Sequence, residues 1–165
     1  MKYVILKVST TGLNSDTAEI VKIDALKVIN DVGQPFSVLI NPGVPIPPEA
    51  SNISGIYDKD VSNAPKFSEI KDKFLGFIED LPIIGHNINF DLSFINKYLD
   101  APLNNKSMSL MDMARSFNYA GSLKFSAMCK HYNIPIVCSD ITGTTNTLFQ
   151  TMLKDYQNRK DNLDV

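Results

Sequence analysis

The sequence is poor in cysteine and has no long apolar run. Its two cysteines, Cys129 and Cys138, form no C-x-x-C pair and lie among apolar and mixed residues, so reduced, partly buried thiols are expected. Only four consecutive apolar residues follow Lys2, which is too short for the apolar core of a secretory signal. No window reaches the length that spans a membrane. We therefore expect a cytoplasmic protein that does not enter the membrane.

An excess of charge of either sign is also missing. The 165 residues include 16 basic and 18 acidic side chains, for a net charge of −2. This balance argues against strong sequence-independent attraction to nucleic acid, although a local basic strip remains compatible with it. Apolar residues make up 44% of the chain, which is enough for a folded core. We predict a single domain over residues 1–156, followed by a polar tail over residues 157–165.

Local patterns predict a mixed α/β architecture. Strands are predicted at residues 3–8, 19–29 and 36–40, with a turn at residues 31–34, so that the chain starts as a meander. Residues 42–48 are proline-rich and are predicted to be extended. An apolar stripe, formed by Phe67, Ile70, Phe74, Phe77, Ile78 and Leu81, then predicts a helix. A short strand at 82–85 and helices at 91–99, 109–117, 122–132 and 143–156 complete the expectation of a sheet flanked by helices.

The stretch K-V-S-T-T-G-L, residues 7–13, follows the first apolar strand directly. Residues two apart on a strand point to the same side, so Lys7 and Ser9 share one face of the sheet just before a tight turn. The arrangement suggests a site. Neither side chain, however, is a good ligand for a hard metal ion or a general base.

Several short motifs occur in a fixed order along the chain. They are T-T-G-L (10–13), N-P-G (41–43), S-G-I-Y-D-K-D-V (54–61), A-P-K-F (64–67), G-H-N-I-N-F-D (85–91), M-D-M-A-R (111–115) and T-T-N-T-L-F (144–149). In this series the chain resembles the DEDDh 3′–5′ exonucleases, the family of the proofreading subunit of bacterial replicative polymerases. The resemblance covers nearly the whole chain and implies an RNase H-like, exonuclease-type fold.

The resemblance also implies a two-metal chemistry that this sequence does not support. Members of the family hold two Mg²⁺ or Mn²⁺ ions, about 4 Å apart, with four carboxylates, and a histidine activates the attacking water. The family's Asp-x-Glu falls on Lys7 and Ser9, whereas Asp91 is retained. The final aspartate and its histidine fall on Ile141 and Ile136, and moving the alignment by two residues gives Gly143 and Cys138 instead. We therefore expect no bound metal or other cofactor and a degenerate catalytic site.

The family pattern nevertheless selects candidate site residues. Asp91 is the one retained catalytic carboxylate, and the candidates for binding a nucleotide or a nucleic-acid strand are Lys7, Ser9, Thr10, Thr11, Gly12, Leu13, Asn87 and Phe90. Lys7 is expected to face the cleft and to pair with Asp91, and it could hold a phosphate. Structural roles are also open. Asp91 could cap a helix that begins there, and Gly12 could serve a turn with positive φ.

Three functions remain open at this point. The first is a pseudoenzyme whose cleft binds single-stranded nucleic acid or a nucleotide. The second is a protein-interaction module with a vestigial cleft. The third is a weak, metal-dependent 3′–5′ exonuclease whose ligands come from unexpected acids, for which the candidates are Asp16, Glu19, Asp24 and Asp140.

Overall fold

The computed structural model describes residues 1–161 and begins with three antiparallel strands. Strand β1 is Lys2–Thr10, β2 is Ile20–Ile29 and β3 is Val32–Leu39. β2 and β3 are joined at Asn30 and Asp31, which both have positive φ, 50° and 66°. Asn and Asp tolerate this conformation, so two residues are enough to reverse the chain. The predicted turn at residues 31–34 was therefore too long, and β3 begins earlier than expected.

Two short parallel strands complete the sheet. β4 is Ile83–Gly85 and β5 is Ser107–Ser109, and the strand order is β3-β2-β1-β4-β5. β4 confirms the strand predicted at 82–85, whereas β5 was not predicted. The prediction of a mixed sheet flanked by helices is confirmed.

Seven helices within residues 1–161 surround this sheet. They are α1 (Pro48–Ser54), α2 (Asp58–Val61), α3 (Phe67–Ile78), α4 (Ile88–Asn96), α5 (Leu110–Ser116), α6 (Phe125–His131) and α7 (Ile141–Asp161), with a 3₁₀ turn at Cys138–Asp140. Helices α1 and α2 were not predicted; α1 follows the proline-rich stretch with Pro48 in its first turn, a position that suits proline. α7 continues through residues 157–161, which had been assigned to the tail, and residues 162–165 lie outside the described part. Within residues 1–161, none of the helices has the length and apolar character needed to cross a bilayer.

The two faces of the sheet are covered by different helices. On one face, Val4, Leu6 and Val8 of β1 pack in the same core cluster as residues of α3 and α4. On the other face, Tyr3 and Ile5 pack with residues of α5, α6 and α7. Because side chains alternate along a strand, the second face continues with Lys7 and Ser9. These two residues are only partly buried, so this face opens toward the end of β1.

Candidate functional site

Lys7 and Asp91 meet at the open end of β1. The Nζ atom of Lys7 lies 4.0 Å from Oδ1 of Asp91, so the predicted pairing is present. The Lys7 side chain is 43% exposed, whereas that of Asp91 is 3% exposed. The ring of Phe90 lies beside the same ammonium, with its centroid 5.7 Å from Nζ, which is within the range of a cation–π contact. An accessible cation and a buried anion therefore define the centre of the candidate site.

Asp91 is held in place by the backbone of β1. Strand β4 pairs with β1 only through Val4 and Ile5, so Val8 lies beyond the reach of this neighbour. The N–H of Val8 donates to Oδ1 of Asp91 at 2.7 Å, and the carboxylate takes the place of a strand partner. Gly85 allows the close approach of β4 and β1, because a Cβ atom there would lie 3.0 Å from the carbonyl oxygen of Leu6.

The alternative role of Asp91 as a helix cap is wrong. Helix α4 begins at Ile88, three residues before the predicted start, and Asp91 lies within its first turn. The carboxylate still contributes negative charge near the helix N-terminus, which is a favourable placement. Its direct backbone partner is nevertheless Val8 in the sheet.

Burial controls the protonation of this carboxylate. Loss of solvent raises the pKa of Asp91 from its ordinary 3.8 to about 6, although the charge of Lys7 and the N–H of Val8 act in the opposite direction. Desolvation of the charged form therefore outweighs the attraction of the half-exposed ammonium. At neutral pH the site holds an ionised but poorly solvated carboxylate.

The loop after β1 uses its hydroxyl groups internally. The Thr10 hydroxyl donates to the carbonyl of Gly12 at 2.6 Å, and the N–H of Glu19 donates to the hydroxyl oxygen of Thr11 at 2.9 Å. Gly12 does not have positive φ, so that reason for a glycine is wrong. The loop is instead tight at this point, since a Cβ on Gly12 would lie 3.2 Å from Cβ of Ala18. Leu13 is 85% exposed and is available for contact.

The residues after β4 differ in their burial and in their contacts. The Asn87 side chain is exposed and makes no hydrogen bond to any residue between 1 and 161, so it is available to a ligand. Phe90 is partly buried and packs against the core. His86 is half-buried, its ring meets that of Phe125 edge-on, and burial lowers the pKa of its imidazole. Its Nδ1 is buried without a hydrogen-bond partner among the described residues.

The positions of the family's last motif carry apolar side chains. Ile136 is 40% exposed, and Ile141 is the first residue of α7. Nearby, the N–H of Val137 donates to the hydroxyl of Thr144 at 3.1 Å, so backbone and hydroxyl groups satisfy each other there. This segment supplies neither a carboxylate nor an imidazole at the two aligned positions.

Three of the four acids considered as replacement ligands are engaged elsewhere, and the fourth, Asp16, is exposed. Glu19 receives hydrogen bonds from Lys97 and Tyr98, Asp24 pairs with Lys22, and Asp140 accepts the N–H of Gly143. Across residues 1–161, no three His, Cys, Asp or Glu side chains come together in a way that could hold a metal ion. Two hard divalent cations need several oxygen ligands, so these residues do not fit the two-metal group that the family implies.

Two residues of β2 also face the site: Asp24, already considered as a replacement ligand, and Lys22, which the sequence did not single out. Lys22 lies opposite Ser9, and Asp24 lies opposite Lys7, in the antiparallel register of β1 and β2. The alternation of β2 was visible in the sequence. The register that brings Lys22 beside Ser9 was not, because it depends on an irregularity between Ser9 and Thr10.

Comparison with known proteins decides the family. A family model described as an exonuclease model, RNase_T, matches residues 8–148. This chain belongs to the DEDDh-type 3′–5′ exonuclease family. Among its relatives, the DNA polymerase III subunit epsilon of Rickettsia conorii is 34% identical over 146 residues, which is 81% of this chain and 63% of that protein. The PolC-type DNA polymerase III of Pediococcus pentosaceus is 33% identical over 172 residues, or 96% of this chain and 12% of that protein. The exonuclease-family domain thus spans less than two thirds of either relative.

Solved structures share the fold of this exonuclease-family domain. Exonuclease X in complex with 5′ overhanging duplex DNA superposes with a TM-score of 0.71 at 21% identity, over 95% of this chain and 92% of the other. Escherichia coli exonuclease I in complex with a dT13 oligonucleotide gives a TM-score of 0.77 at 13% identity, over 98% and 43%. These likenesses confirm the predicted exonuclease-type, RNase H-like fold.

Proposed function

We propose that this exonuclease-family domain is catalytically inactive and binds single-stranded nucleic acid or a nucleotide in the cleft around Lys7, without divalent metal. The observation that carries the proposal is the ammonium of Lys7, 4.0 Å from the one carboxylate retained at the aligned catalytic positions. Because the relatives of this chain include a subunit of DNA polymerase III, we propose that it acts in the cytoplasm.

The loss of hydrolysis follows from the donor set. Two-metal hydrolysis needs ions that stabilise both the attacking and the leaving oxygen, and these ions need a cluster of carboxylates. Here Asp91 accepts the N–H of Val8 and faces Lys7. Two unit positive charges about 4 Å apart repel each other by roughly 4 kcal/mol at an effective dielectric of 20, and a divalent ion is repelled about twice as strongly. The side chains of the site therefore disfavour a divalent ion beside Asp91.

Retention of a binding cleft is supported by the relatives and by the exposure of Lys7. The related solved proteins include one with overhanging duplex DNA and one with a dT13 oligonucleotide. In this chain Lys7, Phe90 and Leu13 present a cation, an aromatic ring and an exposed apolar side chain near the end of β1. Phosphate, base and sugar can be bound by these three kinds of group.

The test combines a cleavage assay with a binding titration. Single-stranded DNA and RNA labelled at the 5′ end are incubated with the protein and Mg²⁺ or Mn²⁺, and no shortening from the 3′ end is expected. Binding in EDTA is then measured at two salt concentrations, where each phosphate contact adds about −0.7 to the slope of log K against log salt. Lys7→Gln is expected to reduce this slope, whereas Lys2→Gln, an exposed lysine at the other end of β1, is the matched control.

Each competing function has its own signature in these data. Metal-dependent shortening would support the weak nuclease and refute the proposal. Curves that show no binding of DNA, RNA or mononucleotide would support the protein-interaction module, which the exposed side chains of Ile136 and Val137 favour. Those side chains offer apolar surface where the family would place its histidine.

A further inference from the structure

The cleft contains a second lysine that shares the open face with Lys7. In the register of β1 and β2, Lys7 is opposite Asp24 and Ser9 is opposite Lys22. Side chains that face each other across two strands lie on the same side of the sheet, so all four residues share this face. Lys7 and Lys22 are diagonal neighbours, roughly 7–8 Å apart at the backbone. Two long, flexible cations therefore flank the hydroxyl of Ser9.

The acids that neutralise the two lysines already have other hydrogen-bond donors. Asp91 accepts the N–H of Val8 at 2.7 Å, and Asp24 accepts the hydroxyl of Ser37 at 2.6 Å. Lys22 lies 3.0 Å from Asp24, and Lys7 lies at the longer distance of 4.0 Å from Asp91. Each carboxylate would thus keep a hydrogen bond if its lysine turned toward a ligand.

The ammonium group of Lys7 has donors available to a ligand, and that of Lys22 would reach one by turning away from Asp24. Both lysine side chains are partly exposed, 43% for Lys7 and 31% for Lys22. Within residues 1–161, Lys7 is 4.0 Å from its anionic partner, which is longer than a hydrogen bond, so its three N–H groups can reach an acceptor in the cleft. The hydroxyl of Ser9 lies on the same face.

We propose that Lys7, Lys22 and Ser9 form a binding site for a terminal phosphate monoester, which is the group at the end of a phosphorylated strand or on a nucleoside monophosphate. This inference rests on the proposed function and specifies its ligand. A phosphate monoester carries a charge of about −1.5 to −2 near neutral pH and presents three acceptor oxygens. An internal phosphodiester carries one charge and presents two free oxygens. Two ammonium groups and one hydroxyl match the monoester better in charge and in number of donors.

The experiment compares ligands that differ in one phosphate. Affinities are measured by calorimetry in EDTA at pH 8, where the monoester is fully ionised, for a dT oligonucleotide with a 5′-phosphate, with a 3′-phosphate and with neither. dTMP and inorganic phosphate are measured separately, because they show whether the site takes a strand end, a free nucleotide or phosphate alone. At least one terminal phosphate is expected to tighten binding about tenfold or more, as charge-assisted hydrogen bonds do.

A variant tests whether the preference depends on Lys22. Lys22→Gln is expected to remove the gain from the terminal phosphate, measured as the ratio of the affinities for the phosphorylated and the unphosphorylated strand. Lys2→Gln, on the same strand as Lys7 but at its other end, should not change this ratio. Circular dichroism of each variant checks that the sheet is intact.

The outcomes separate this inference from the proposed function. Equal affinity for phosphorylated and unphosphorylated strands would refute the monoester site and leave nucleic-acid binding in place. A preference for the phosphorylated strand that Lys22→Gln does not alter would have the same meaning. Binding of inorganic phosphate that is lost in Lys22→Gln, together with no binding of any strand or nucleotide, would support the monoester site and refute the proposed function. No binding of any ligand would refute both.

Discussion

Replacing Asp91 by asparagine should remove a specific component of the pH dependence of stability. Asparagine keeps an oxygen that can accept the N–H of Val8, but it carries no charge that burial would penalise. The pKa of Asp91 in the folded protein is about 6, against an ordinary value of 3.8. Each pKa unit is equivalent to about 1.4 kcal/mol, so the ionised form costs the folded state about 3 kcal/mol relative to the protonated form.

The sign of the effect follows from proton binding. Between pH 3.8 and about 6 the folded protein binds more protons at Asp91 than the unfolded chain does, so the contribution of this group to stability falls as pH rises. It is fully present below pH 3.8 and is lost above about pH 6. The stability of Asp91→Asn minus that of the wild type should therefore increase by about 3 kcal/mol across this window.

The assay is urea unfolding of both proteins at intervals from pH 4 to pH 8. Subtracting the two curves cancels the other carboxyl groups, and Asp72→Asn, on the exposed side of α3, controls for the loss of one negative charge. In a Lys7→Met background the pKa of Asp91 should rise further, and the window should extend to higher pH. A difference that is flat, or that decreases with pH, would show that the attraction of Lys7 outweighs burial and would refute this reasoning.

Three further changes test other parts of the structure. Asp91→Ala leaves the N–H of Val8 without its acceptor and is expected to destabilise the protein by about 1–3 kcal/mol in urea unfolding, and equal stability of the Ala and Asn variants would contradict the backbone role. The double variant Lys7→Asp, Ser9→Glu places three carboxylates around the site. Mn²⁺ at about 100 times its Kd should therefore stabilise the double variant by about 2.7 kcal/mol and leave the wild type unchanged. A wild type that Mn²⁺ stabilises as much would refute the loss of the metal site. Phe74→Ala, at a fully buried position of α3, should cost about 3–5 kcal/mol in the same unfolding assay, and a loss below about 1 kcal/mol would mean that the core is not packed there as described.

Strongly periodic segments could be predicted from the sequence, and short or context-dependent ones could not. The stripe that includes Phe67 and Phe74 indicated α3, whose first residue is Phe67. β5, Ser107–Ser109, has three residues and no alternation long enough to detect, and it exists because the edge of β4 is available for pairing. Aspartate has a strong preference for helix N-caps, and this preference misplaced the start of α4 at Asp91.

The same limit applies to the candidate site. A period of two was enough to place Lys7 and Ser9 on one face, and the family motif selected Asp91. The contribution of Lys22 depends on how β1 and β2 are aligned, which the sequence of either strand alone does not determine. The hydrogen bond between Val8 and Asp91 depends on where β4 stops, and that is a property of the assembled sheet.

The early end of β4 has a consequence for reading signatures of catalysis. The gap it leaves beside Val8 must be closed by an acceptor if the strand is to stay in place, whether or not any bond is ever hydrolysed nearby. Replacement by a side chain that cannot accept would therefore be opposed by folding alone. An acid at this position is therefore evidence that the sheet is folded, and it is not by itself evidence of catalytic activity.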